Sequence, residues 1–227
     1  MAAKNKELVP IRPVEIERIE ITIVGDSSLI TKKKKKKAKK QMLDAQMGKS
    51  AGRKKSLKNP VEDFISSMYW LGDIYPAEPT EEAFYEAIEK GARFGFPVKA
   101  VKDAAISAAY RSGWTKDKVS VRGAFFVRGE DENHETVGDG EFAQIITDDP
   151  PHIREDAVKV GMGTADLRYR GEFENWRMNL EIEYNRSSKY DKEAIMTMIN
   201  AGGFTVGIGE WRPDKSGDHG RFHVMAK

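Results

Sequence analysis

The chain contains no cysteine. Disulfides, thiolate zinc sites and cysteine nucleophiles are thereby excluded, and a reducing cytoplasm is the compartment that fits. No apolar run approaches the roughly 18 residues of a membrane span, and residues 1–9 lack the apolar core of a secretory signal. Histidine is scarce, with only His134, His152, His219 and His223, and no H-E-x-x-H helix is present. There is no Gly-x-Ser-x-Gly elbow and no Walker loop, and Gly207-Ile208-Gly209 lacks the third glycine and following helix of a dinucleotide fingerprint. Asp26, Asp166 and Asp191 stand isolated, as turn or cap carboxylates do. No internal repeat appears. These absences leave no positive case for an enzyme, and no cofactor or metal is expected.

What the chain does have is charge, unevenly spread. It has 227 residues, 39% of them hydrophobic and 33% charged, enough for one large domain or two small ones. The formal net charge is +2, yet residues 32–58 alone carry +12, from twelve lysines and Arg53 against Asp44. Residues 130–149 hold eight carboxylates and no Lys or Arg. A basic arm on an acidic body points to a polyanion partner, or to self-association in which the arm of one copy meets the acidic loop of another. Lys32 to Met47 is rich in helix formers, but six consecutive lysines repel one another, so the insert is expected to be mobile without a partner. A solvated loop and a nuclear-localisation run are the alternatives.

The periodicities give a succession of elements. Residues 1–13 read as a flexible lead, and residues 14–227 as a single α+β domain with a basic insert at 32–58 and an acidic loop at 128–150. Ile19, Ile21 and Ile23 alternate with Glu20 and Thr22, as in a half-buried strand, and Gly25-Asp26-Ser27-Ser28 ends it. Pro60 opens a helix whose apolar positions run from Val61 to Leu71, and Thr80 caps another that ends at Gly91. Phe96-Pro97 opens a helix over 98–110, with Lys99 and Lys102 in its first turns, where cations oppose the helix dipole. Residues 119–127 and 142–146 read as strands, 153–170 as one bent or bulged strand, and 176–184 as a strand of perfect alternation. Residues 192–200 read as a helix stopped by Gly202-Gly203, and 204–208 and 221–225 as strands. Strand, helices, several strands, helix, strand is the order of a ferredoxin-like (RRM-like) antiparallel sheet with helices on one face.

Between the last two expected strands lies the most distinctive stretch, Gly207 to Phe222, with four glycines, Trp211, Arg212, Pro213 and Arg221. Glycine permits positive φ and close approach of another chain, and arginine presents a planar fork suited to phosphate. The stretch is therefore either an anion cradle or a glycine-punctuated hairpin. Trp114, Trp211, Tyr169 and Phe222 lie beside basic residues or glycines, as base-stacking platforms would.

Three patterns carry a family resemblance: the first strand running into Gly25-Asp26-Ser27-Ser28-Leu29-Ile30, the proline-initiated helix Phe96-Pro97-Val98-Lys99-Ala100-Val101-Lys102, and the glycine-rich stretch ending Gly220-Arg221-Phe222. Together they resemble the RAMP superfamily, the ferredoxin-like proteins that include backbone subunits of CRISPR effector complexes. Val98 and Asp103 stand where that family often has glycine, and Lys99 and Ala100 where it has serine. Gly161 to Tyr169 and Gly209 to Pro213 are also similar to uncharacterised tailed-phage proteins. The resemblance implies single-stranded nucleic acid, RNA or DNA, lying along the sheet and loops. It further implies head-to-tail oligomers or effector-complex partners, and the bacterial host cytoplasm as the setting. The residues expected to bind are Lys32, Lys33, Lys34, Lys35, Lys36, Lys37, Lys39, Lys40, Arg53, Lys54, Lys55, Lys99, Lys102, Gly207, Gly209, Trp211, Arg212, Gly220 and Arg221.

Overall fold

The computed structural model describes residues 14–33, 43, 44, 46, 47, 58–160 and 164–225. The flexible lead and most of the basic insert lie outside them.

The alternating isoleucines do form a strand, β1 (Ile16–Gly25), which pairs antiparallel along its length with β9 (Arg177–Asn185). β9 pairs on its other side with β5 (Phe125–Gly129), and β1 pairs with β10 (Phe222–Val224), giving the order β10-β1-β9-β5 with every neighbour antiparallel. Odd residues of β1 and even residues of β9 point to one face, where Ile21, Ile23, Met178, Leu180 and Ile182 are buried. α3 (Lys99–Arg111) and α5 (Lys192–Thr205) pack on that face. The small residues Ala104, Ala105, Ala108 and Ala109 of α3 let α5 come close. A β-carbon on Gly202 would stand 2.7 Å from the Ala105 amide nitrogen. Gly202 and Gly203 therefore lie inside α5 and do not end it: Gly202 lets α3 approach, Gly203 makes room for the Phe222 backbone of β10, and the helix runs on to Thr205.

The other face of this sheet is left without a helix, and it carries charges of both signs. Glu20 lies directly opposite Glu181 across the ladder, and Glu183 is beside them, with Arg18, Arg128 and Arg177 as the cations of the same face. Arg18 pairs with Glu183 at 2.9 Å.

Two smaller antiparallel sheets complete the α+β architecture. β3 (Tyr69–Leu71), β4 (Arg93–Pro97) and β6 (Phe142–Ile145) form one, in the order β3-β4-β6. α1 (Pro60–Ser67) and α2 (Glu81–Glu89) pack beside it through Phe64, Phe84, Trp70 and Phe94, with ring centroids 4.7 Å apart for Trp70 and Phe94. β2 (Leu29–Ile30), β8 (Thr164–Phe173) and β7 (His152–Val160) form the other, in the order β2-β8-β7.

Several expectations are corrected. The first helix stops at Ser67, because Tyr69 to Leu71 are drawn into pairing with β4. Residues 118–122 are a short helix, α4, capped by Asp117, whose carboxylate accepts from the Val119 and Ser120 amides. Residues 152–160 and 164–173 are two strands paired antiparallel rather than one bulged strand. Phe204 and Thr205 belong to α5, and 206–208 form no strand, so the glycine-rich stretch is not a two-stranded hairpin.

Candidate nucleic-acid interface

The glycine-rich loop, residues 206–221, is held on its inner side by the turn that follows β1. Glu210 N–H donates to Ile30 O, Gly220 N–H to Ser28 O, Arg221 N–H to Ser27 Oγ, and Asp26 N–H to Arg221 O. Gly207, Gly209 and Gly220 all have positive φ, and at Gly209 a β-carbon would press on the Ile30 carbonyl. Trp211 adopts φ 51°, an uncommon value for a bulky residue. Its indole is 37% exposed. A 3₁₀ turn, Pro213–Lys215, shapes the far side of the loop.

The two arginines differ. Arg212 turns inward: it donates to Gly209 O at 2.9 Å and to Asp214 at 3.2 Å, so its guanidinium is occupied in shaping the loop. Asp214 is also gripped by Arg111 of α3, which, with Arg212 and Lys215, holds its carboxyl below the usual range despite partial burial. Arg221 keeps a buried Nε with no acceptor among the described residues. An unsatisfied buried guanidinium donor is costly.

Lys32 leaves β2 beside this loop, 3.7 Å from Glu210, and Lys33 lies over the Tyr69 ring at 5.6 Å. The basic insert thus departs from the polypeptide directly beneath the glycine-rich loop. It returns at Lys58, which is bound to Asp166 on β8. Lys34, Lys35, Lys36, Lys37, Lys39, Lys40, Arg53, Lys54 and Lys55 lie outside the described residues. Lys99 pairs with Asp103 one turn along α3. Lys102 sits over the Phe126 ring at 4.3 Å, with its pKa lowered by burial and by Arg122 and Lys99, against the pull of Asp103. No hydrogen bond or ion pair among the described residues joins Lys99 or Lys102 to the loop. Of the expected stacking residues, Phe222 is buried in the core against Trp176.

A polar cluster that the sequence reading missed supports the loop from the side of β7 and β8. β7 and β8 place His152 opposite Glu172 and Arg154 opposite Arg170 on one face. Glu172 accepts from Ser28 Oγ at 2.5 Å and from Arg154 Nη1 at 3.1 Å, with His152 Nε2 at 3.4 Å. Burial pushes the Glu172 carboxyl up, but Ser28, Arg154 and His152 outweigh it and hold the group below its ordinary value. His219 Nδ1, from the loop, lies 2.9 Å from Ser28 Oγ. Asp156 bridges Arg154 at 3.0 Å and Arg170 at 2.6 Å, and Arg170 is buried with an Nε that has no acceptor. The signal was present as charges two apart, His152-Arg154-Asp156 and Arg168-Arg170-Glu172. It becomes legible only once the stretch is read as two paired strands.

Chemically the cluster is a brace. Glu172 and Ser28 meet the same edge of His219, so no base stands between nucleophile and orienting carboxylate as a hydrolytic triad requires. Asp26 is bonded to His223 Nδ1 at 2.7 Å, and Asp191 caps α5. Among the described residues no group of three His, Asp or Glu side chains is arranged to hold a metal ion, and no helix is long and apolar enough to cross a membrane. No family model matches the chain, and no curated protein matches it.

Proposed function

We propose that this chain is a single-stranded nucleic-acid-binding protein of RAMP-like, ferredoxin-like build, phage-encoded and acting without catalysis. The observation that carries the reading is the convergence of the basic insert and the glycine-rich loop: Lys32 stands 3.7 Å from Glu210, and the unsatisfied Arg221 Nε lies in the same loop. Lysines that leave the fold at the loop can neutralise phosphates and release their counterions. The order β10-β1-β9-β5, with α3 between β1 and β5 and α5 between β9 and β10, is that of two interlocked strand–helix–strand units and supports the ferredoxin-like reading.

Polarisation of labelled single strands across a salt series tests the proposal. Affinity should fall with salt at a log–log slope of roughly −0.7 per phosphate contact, and Lys32→Ala with Lys33→Ala should weaken it. No binding at low salt would sink the reading. The carboxylates of 130–149 favour a second reading, a phage structural or host-interaction protein whose arm meets acidic protein surfaces. Light scattering that shows arm-dependent assembly, indifferent to nucleic acid, would select it.

A further inference from the structure

Past its last turn, α3 carries aromatic side chains that the core does not use. Gly113, at φ 73°, ends the helix, and the residue after such a stop commonly packs back onto it. Here that residue is Trp114, and it stays 52% exposed. Tyr110, one turn earlier, is 48% exposed, and Phe126 on the neighbouring edge strand is 55% exposed. Cations accompany the rings: Lys118 lies 4.3 Å from the Tyr110 centroid, and Lys102 lies 4.3 Å from that of Phe126. Among the described residues none of Lys102, Lys118 and Arg122 has a carboxylate within ion-pair distance. The nearest acid on α4, Asp117, is committed to capping the helix.

We infer that the exposed side of α3 and α4 is a stacking surface for single-stranded nucleic acid, with Trp114 and Tyr110 as platforms and Lys102, Lys118 and Arg122 as phosphate contacts; Phe126, opposite Glu183, belongs to the other face of the sheet, and Lys102 reaches it around the edge strand. This rests on the function proposed above and gives the strand a path across the helical layer. The surface is tied to the glycine-rich loop by Arg111, which holds Asp214. Arg122 and Lys99 both press electrostatically on Lys102, and a polyanion removes that repulsion. A lysine resting on a ring face can swing to a phosphate and leave the face to a base, and stacking of this kind tolerates any base.

Binding of a fluorescein-labelled oligothymidylate and an oligouridylate to the full chain, at one low salt concentration, tests this. Trp114→Ala with Tyr110→Ala should weaken binding about 5-fold or more, as expected for loss of base–aromatic stacking. Lys118→Ala with Arg122→Ala should weaken it and flatten the salt dependence. Thermal melts by circular dichroism should match the wild type, since these side chains are exposed. Wild-type binding that survives both double variants unchanged overturns this surface while leaving the loop-based function intact. A wild type that binds neither oligonucleotide overturns both. If the variants instead lose affinity for a polyglutamate peptide and keep it for the oligonucleotides, the surface belongs to an acidic protein partner and the inference fails.

Discussion

A buried carboxylate stays ionised only where donors surround it, and Glu172 shows how many can be needed. Ser28, Arg154 and His152 together reverse the upward push of burial. A carboxyl lowered in the folded state adds stability above the pKa it has unfolded, and that stability is lost as pH falls through the folded pKa. Acid titration of the melting temperature should therefore show a drop in the acid range that Glu172→Gln flattens, and at neutral pH Glu172→Ala should cost about 1–2 kcal/mol in urea unfolding, since Arg154 loses one of its two carboxylate partners and keeps Asp156. Glu130 has the opposite sign. Burial raises its pKa, Glu20 and Glu181 raise it further, and His134 only partly offsets them, so its ionisation costs stability that falling pH restores. Glu20→Gln removes one repulsive neighbour. It should raise neutral-pH stability by a few tenths of a kcal/mol, an increment that disappears once the carboxyls are protonated. Arg212 is a loop brace, so Arg212→Ala should lower stability by about 1 kcal/mol; weakened oligonucleotide binding in that variant would not identify a phosphate contact. Arg221→Lys, which keeps the charge and loses the Nε donor, is the sharper probe of the loop.

Elements are where the sequence reading was best and where it slipped. The N-caps were visible: Thr80 opens α2 by accepting from Ala83 N–H, as its residue type suggested. Asp191, read as a turn or cap carboxylate, accepts from Ala194 N–H, and Asp191→Ala should cost about 1 kcal/mol in chemical denaturation. β1 and β9 were visible because each buries one face and shows alternation. Gly202 and Gly203 misled, because glycine reads as a stop when its partner is unknown. The partner is α3, against which Gly202 packs without a side chain. Gly202→Val should push the helices apart and destabilise the fold by about 1–3 kcal/mol, while an exposed change on the same helix, Glu193→Gln, should leave its melting temperature nearly unchanged. Residues 118–122 misled in turn: Val119 and Val121 favour a strand, but Asp117 offers a cap, and Val119 ends exposed while Val121 is buried.

Across the whole molecule the governing fact is charge separation. The basic insert is anchored at Lys32 and Lys58, residues 130–149 hold eight carboxylates and no Lys or Arg, and Lys118 and Arg122 of α4 have no carboxylate within ion-pair distance among the described residues. Charge swaps should therefore act unequally: Glu181→Lys on the sheet should change oligonucleotide affinity little, whereas reversal of Lys118 should reduce it, a contrast that a polarisation titration reads directly. The sequence by itself determined the α+β content, the starts of most helices, the strands with one buried face and the existence of a +12 segment, because these depend on local periodicity and composition. Only the tertiary structure decided that the loop after α5 lies against the turn after β1, that residues 152–160 and 164–173 pair as two strands bracing it, and that Trp114 remains exposed. Those facts depend on which distant residue fills the space beside each one, and no local pattern carries that information.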